Sequence, residues 1–212
     1  DDPDNLISYA ARGRILGQCA AKTGCRHFGL LIGERSRLQG FGIVGLLAKY
    51  SSDVATALQR LVGFLHLHVR GSRAALSVAG DLATLRYDIL QPDVEAVDQL
   101  GEGAVATIFK ILQGLCGGSW RPIEIRLAHR APPDLRPYRR YFGMAPTFDA
   151  AEYAVVFKAS WLDQPVPEGD PELIRLLQQH ILALGARYEG NLVAQVRAVL
   201  RGAILAGQAG EE

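Results

Sequence analysis

Two histidines stand one residue apart in His66-Leu67-His68, a spacing that on a strand would aim both imidazoles at one metal ion. On a helix the same pair diverges by about 200°, since each residue turns the chain by about 100°. The flanking residues decide for the helix: Val54, Ala57, Leu58, Leu61, Val62, Leu65 and Val69 recur at three- and four-residue steps. His68 then flanks the apolar stripe beside Leu61 and Phe64, and His66 falls on the opposite flank near Gln59. His68 is the pocket candidate, and no metal site is expected.

Other chemistry is thinly represented. Cys19, Cys25 and Cys116 form an odd set without a CxxC spacing, which argues against a disulfide framework or a zinc knuckle and suits a reducing cytoplasm. No GxSxG, HExxH, P-loop or GxGxxG segment is present, so no catalytic residue is nominated and the chain reads as a non-enzyme. A hydrolase or transferase using Asp and His is a competing class without a local constellation to carry it. His27 precedes an apolar helical run and would cap or anchor it, while Tyr138, Tyr141 and Phe142 make one aromatic face. Arg136, Arg139 and Arg140 read as a solvated basic face.

The elements that must position these groups follow from periodicity and punctuation. Helices are predicted from Leu6 to about Thr23, stopped by Gly24, and from Phe28 to Arg35, followed by a short apolar segment from Gly42 to Tyr50. Gly33 is unfavourable inside the second unless another backbone packs close. Ser51-Ser52-Asp53 caps the long helix that ends near His68. Ala75–Val78 and Thr84–Leu90 alternate around Gly80-Asp81 as a β-hairpin. A helix opening at Pro92-Asp93 and closing at Gly117-Gly118, a strand over Ile123–Leu127, a short helix from Pro132 to Tyr141 and a strand over Tyr153–Phe157 complete the order. That order predicts an α+β fold: N-terminal helices packed on a small, mostly antiparallel sheet with backing helices. Beyond Pro165 to Gly169 come helical stretches over Pro171–Leu184 and Asn191–Leu205, and the second carries an apolar stripe that calls for a partner helix.

Bulk properties exclude several classes. With 212 residues, 49% hydrophobic and 21% charged, the chain can bury a real core. A formal charge of +1 gives no overall field to draw nucleic acid. Asp1-Asp2-Pro3-Asp4 is unlike a basic signal-peptide start and no run reaches about 18 apolar residues, so neither export nor a membrane is expected.

Certain phrases, in their order, resemble the N-terminal, arabinose-binding-like effector domain of AraC-family transcription regulators: His27-Phe28-Gly29-Leu30 with Gly33-Glu34-Arg35, Gly42 to Leu46, Ser51-Ser52 before Ala57-Leu58, Arg121-Pro122 through His129, Tyr138 to Gly143, Phe148 and Val156-Phe157. The resemblance spans roughly residues 6 to 180. It implies a sensor domain over residues 1–165, a linker helix over 166–190, and the start of a truncated helix-turn-helix DNA-binding domain over 191–212. Operator DNA would be read only by recognition helices lying outside this sequence. The implied function is ligand sensing, with a homodimer expected, without cofactor. The alternatives are a haem or gas sensor using His68 or His129, and a pure protein-interaction module.

An effector pocket is a mostly apolar cavity with a few placed polar groups. The expected walls are the long helix, the hairpin and the helix after Pro92, which nominate Phe64, His68, Arg70, Tyr87 and Phe109 as ligand-binding residues. Such walls favour a fatty acid or another hydrophobic metabolite over a sugar, with an amino-acid-like ligand as the polar option.

Overall fold

The computed structural model describes residues 7–170 and 172–177. The chain divides into two compact units, Asp1–Pro171 and Glu172–Glu212. In the second, residues 172–177 are helical; the rest of the expected linker helix and the Asn191–Leu205 stretch lie outside the described residues.

The first unit opens with α1 (Tyr9–Thr23), whose Ser8 cap accepts a hydrogen bond from Ala11 N at 3.1 Å and which ends on left-handed Gly24. Next come α2 (Phe28–Glu34), a 3-10 turn at Leu38–Phe41 and α3 (Gly42–Lys49). Asp53 caps α4 (Val54–His68) by accepting from Thr56 N at 2.7 Å, which satisfies one of the free N–H groups of the first turn. The hairpin follows as β1 (Ser72–Ala79) and β2 (Leu82–Ile89), closed by Gly80-Asp81 with Gly80 at positive φ. Then come α5 (Val97–Cys116), β3 (Glu124–Arg126), α6 (Arg136–Phe142) and β4 (Tyr153–Lys158).

The fold is α+β, with a four-stranded antiparallel sheet in the order β1-β2-β4-β3. β2 alternates as expected of a half-buried strand, with Ala83, Leu85 and Tyr87 turned inward. β4 lies between β2 and β3 and is buried along almost its whole length. The open face carries a charged ladder: Arg73 pairs with Asp88, Arg86 with Asp88 and Glu152, and Arg126 with Glu152 and Glu124. One face is core and the other carries the charged pairs, with Ala154 and Val156 of β4 buried on that side as well. Among the described residues no helix is long and apolar enough to cross a membrane.

Two helix starts differ from expectation. α5 begins at Val97, not at Pro92, because Asp93 and Ala96 take positive φ of 57° and 51°, a left-handed geometry that breaks helical hydrogen bonding. The intervening Val94 is buried with Tyr9, Leu16 and Leu100. Gly13 makes this possible, since a Cβ there would stand 2.4 Å from the Glu95 carbonyl oxygen. α6 begins at Arg136, not Pro132, because the Asp134 carboxylate accepts from Arg136 N at 3.0 Å and marks the first turn.

α2 and α5 meet through small residues. A Cβ on Gly29 would stand 2.1 Å from the Gln99 carbonyl oxygen, and one on Gly33 would stand 2.3 Å from Ala106 Cβ. The glycine inside α2 thus has the close backbone neighbour its position called for.

Candidate functional site

The seam between α2 and α5 fixes the first two turns of α5, and these carry the polar groups of the domain's interior. Gln99, buried, spans the seam: its Oε1 accepts from Gly29 N at 2.9 Å and its Nε2 donates to the Arg26 carbonyl at 2.9 Å. It supplies the cap of α2 from another helix. His27, expected to provide that cap, makes no capping hydrogen bond and turns its ring edge towards Tyr138 at 6.3 Å.

One turn on, Glu102 is 1% exposed. Its Oε1 accepts a short hydrogen bond from the Tyr138 hydroxyl. His129 Nε2 approaches the same oxygen to 3.2 Å, too obliquely for a full hydrogen bond, and Oε2 has no partner among the described residues. Tyr138, from α6, is as buried as Glu102, and its phenol is pushed well above its ordinary range by burial and by the Glu102 charge.

His129 lies just beyond β3, its ring edge-on to Phe148 at 5.5 Å and tilted over Tyr153 at 6.2 Å. Nδ1 stands 3.0 Å from the Arg130 carbonyl oxygen, which only accepts, so Nδ1 carries a proton. Burial acts against the imidazolium, but the adjoining Glu102 carboxylate, by partial hydrogen bonding and by charge, outweighs it. The Arg130 carbonyl and Asp98 add to the effect, and the net shift is upward. Nδ1 is therefore the engaged nitrogen, while Nε2 has no full hydrogen bond among the described residues.

A raised histidine pKa has a definite consequence for stability. The folded domain holds the proton more tightly than the unfolded chain, so this contribution is complete below the unfolded value and is lost as pH rises through the folded one. Melting temperature, followed from about pH 6 to about pH 8, is expected to fall in the wild type. It should fall less in His129→Gln, and equal slopes would remove the assignment. The charged or titratable neighbours are Glu102 and Asp98 on α5, Tyr138 on α6 and Tyr153 on β4.

These groups stand at the wall of a cavity, open to solvent, of about 580 Å³. The C-terminal half of α1 lines one side with Gly17, Ala20 and Ala21, and Asp98, Gln99, Glu102, His129 and Tyr138 line the other. Arg26 and Arg130 also reach it. Ala96 holds its left-handed conformation on the same wall. A second, smaller cleft of about 310 Å³ is lined by Leu30, Glu34, Phe109, Arg140 and Tyr141 among others.

The five residues expected to bind ligand fall in separate surroundings. Phe64, half-buried, and His68 and Arg70, exposed, lie on the last turn of α4 and just past it. The His68 ring packs on Phe41 at 4.6 Å, and desolvation, then Arg12, lower its pKa. Tyr87 is buried on β2 with its hydroxyl 2.9 Å from that of Tyr9. Phe109 sits in an aromatic cluster with Trp120, Tyr141 and Phe142, and is the one of the five that lines a described cleft, the smaller. None of the five lines the larger cavity. The residues that do carry its polar wall left one signal in the sequence: Glu102 shares a helix face with Val105 and Phe109, so a carboxylate stands on a stripe meant for burial.

Residues 1–166 match the model of the family described as the arabinose-binding domain of AraC transcription regulator, N-terminal. The ornithine utilization regulator of Pseudomonas aeruginosa is 23% identical over 202 residues, which are 94% of this chain and 60% of that protein. The chain therefore spans somewhat under two thirds of the length of this curated relative. The crystal structure of the transcriptional regulator CdpR from Pseudomonas aeruginosa superposes with a TM-score of 0.63 at 18% identity, over 98% of this chain and 74% of that one.

Proposed function

We propose that this chain, which belongs to the family of N-terminal arabinose-binding domains of AraC transcription regulators, senses a small-molecule effector in the cavity lined by Glu102, His129 and Tyr138. The carrying observation is a cavity large enough for a metabolite whose polar groups converge from three elements, as binding sites require. Binding without turnover is the reading these groups favour, since Glu102, His129 and Tyr138 are engaged with one another and none is a free nucleophile beside a base.

Effector binding would act by population shift. The cavity wall joins α1, the start of α5 and the segment after β3, so a ligand that fits one arrangement of these elements better than another biases the domain towards it. In this reading residues 1–165 are the sensor, 166–190 the linker, and 191–212 the start of the DNA-binding part. Operator contact is left to recognition helices beyond this sequence, and sensing takes place in the cytoplasm on a homodimer. Phe64, His68, Arg70, Tyr87 and Phe109 then form framework around the sensor core, not its ligand contacts.

The test is a thermal-shift screen against amino acids, amines, sugars and fatty acids. A ligand at 100 times its dissociation constant stabilises by about 2.7 kcal/mol, a rise of several degrees for a domain of this size. Ala21→Trp, which fills the cavity from α1, is expected to abolish that rise. A rise that survives Ala21→Trp would move the effector site elsewhere, and a folded sample silent across the panel would favour an interaction module.

A further inference from the structure

We propose that the cavity is built for a positively charged amine, with the Glu102 carboxylate as the counter-ion of the ligand's ammonium group. The inference rests on the cavity being the effector site and names the chemistry it selects.

A carboxylate has about four acceptor positions and no donor when ionised. At Glu102, 1% exposed, the neighbours crowd one oxygen: the Tyr138 hydroxyl donates to Oε1, and His129 Nε2 faces Oε1 obliquely. Oε2 is left without a partner and is itself buried, on a residue that lines the cavity, so a ligand reaches it by a small shift of the wall. A buried acceptor without a donor is costly, and more so when charged, so native interiors seldom keep one without a use. What Oε2 lacks is a donor, and an ammonium group brings three together with the opposite charge.

The rest of the lining agrees. Asp98 stands one helical turn before Glu102, on the same cavity, and its charge reaches His129, Tyr138 and Tyr153. Two carboxylates one turn apart repel each other, and a cation between them relieves both. Gly17, Ala20 and Ala21 offer a small-residue wall on which a methylene chain can lie. Neither a fatty acid nor a sugar brings a cation to Glu102 and Asp98. Arg26 and Arg130, which line the same cavity, provide for a ligand carboxylate. A zwitterionic amino acid and a plain diamine therefore share the anchoring chemistry and differ at that second end.

Isothermal titration of the full 212-residue chain with cadaverine, L-lysine, hexanoate and L-arabinose decides the matter. An amine is expected to bind, and Glu102→Gln, which keeps the shape and an acceptor for Tyr138, should weaken it at least about tenfold. Asp98→Asn, at an exposed position, should weaken it by a smaller factor. L-lysine exceeding cadaverine, with the advantage lost in Arg130→Ala, identifies an amino acid; the reverse order identifies a diamine. If Glu102→Gln does not fold, the wild type still answers, because diacetylated cadaverine keeps the chain length and loses the charge. Equal binding of the acetylated and free amines, unchanged affinity in folded Glu102→Gln, or binding of hexanoate or arabinose alone overturns the proposal. Where such a non-amine ligand is lost in Ala21→Trp, the sensor reading stands and only the amine assignment falls.

Discussion

Gly29→Val is expected to cost about 3 kcal/mol or more, a large part of the stability of a domain of this size. The Cβ would stand 2.1 Å from the Gln99 carbonyl oxygen and 2.9 Å from its carbonyl carbon, both backbone atoms that no rotamer change can move aside. α2 and α5 must separate. That separation breaks the Gly29 N to Gln99 Oε1 hydrogen bond and loosens the seam that also seats Gly33 on Ala106 and Gly103 on the Gly29 carbonyl. Because Gln99 and Glu102 are on adjoining turns of α5, the cavity is lost with the packing. The control is Gly114→Ala on the same helix, exposed with nothing within 4 Å of a new Cβ, where the better helix former should stabilise by up to about 1 kcal/mol. Urea midpoints of the two variants should shift in opposite directions. A folded Gly29→Val with a near wild-type midpoint would mean that the two helices are not in this contact.

Local periodicity carried most of the fold in the sequence. The apolar spacing from Val54 to Leu65 and the Ser51-Ser52-Asp53 cap place α4 within a residue of its ends, and alternation around Gly80-Asp81 places the hairpin. These are properties of neighbours in the chain, which a single sequence contains. The start of α5 was not legible, because Asp93 and Ala96 adopt left-handed backbone to lay Glu95 against Gly13, some eighty residues earlier in the chain. Strand order was equally hidden: β4 enters between β2 and β3, and no local pattern distinguishes a central strand from an edge except its nearly unbroken apolar run. The polar wall suffered most. Glu102, His129 and Tyr138 are brought together from α5, the segment after β3 and α6, a convergence with no sequence spacing to announce it.

Phe109 separates a core residue from a binding residue, since the sequence nominates it for a ligand and its surroundings are aromatic packing. Its ring lies 5.4 Å from Trp120, 5.3 Å from Tyr141 and 5.2 Å from Phe142, with edge-to-face or tilted geometry, and 5% of the residue is exposed. Truncating a buried phenylalanine removes its transfer free energy and leaves a cavity, so Phe109→Ala is expected to destabilise by about 3–5 kcal/mol. Ligand response should nevertheless survive in whatever fraction stays folded. The larger cavity is bounded by Glu102, His129 and Tyr138 and does not include Phe109, so the ligand-induced rise in melting temperature should match the wild type from a much lower baseline. A baseline barely changed together with a lost ligand response would be the opposite pattern. It would place the effector in the smaller cleft beside Phe109 and Tyr141, and turn the polar wall at Glu102 into structural framework.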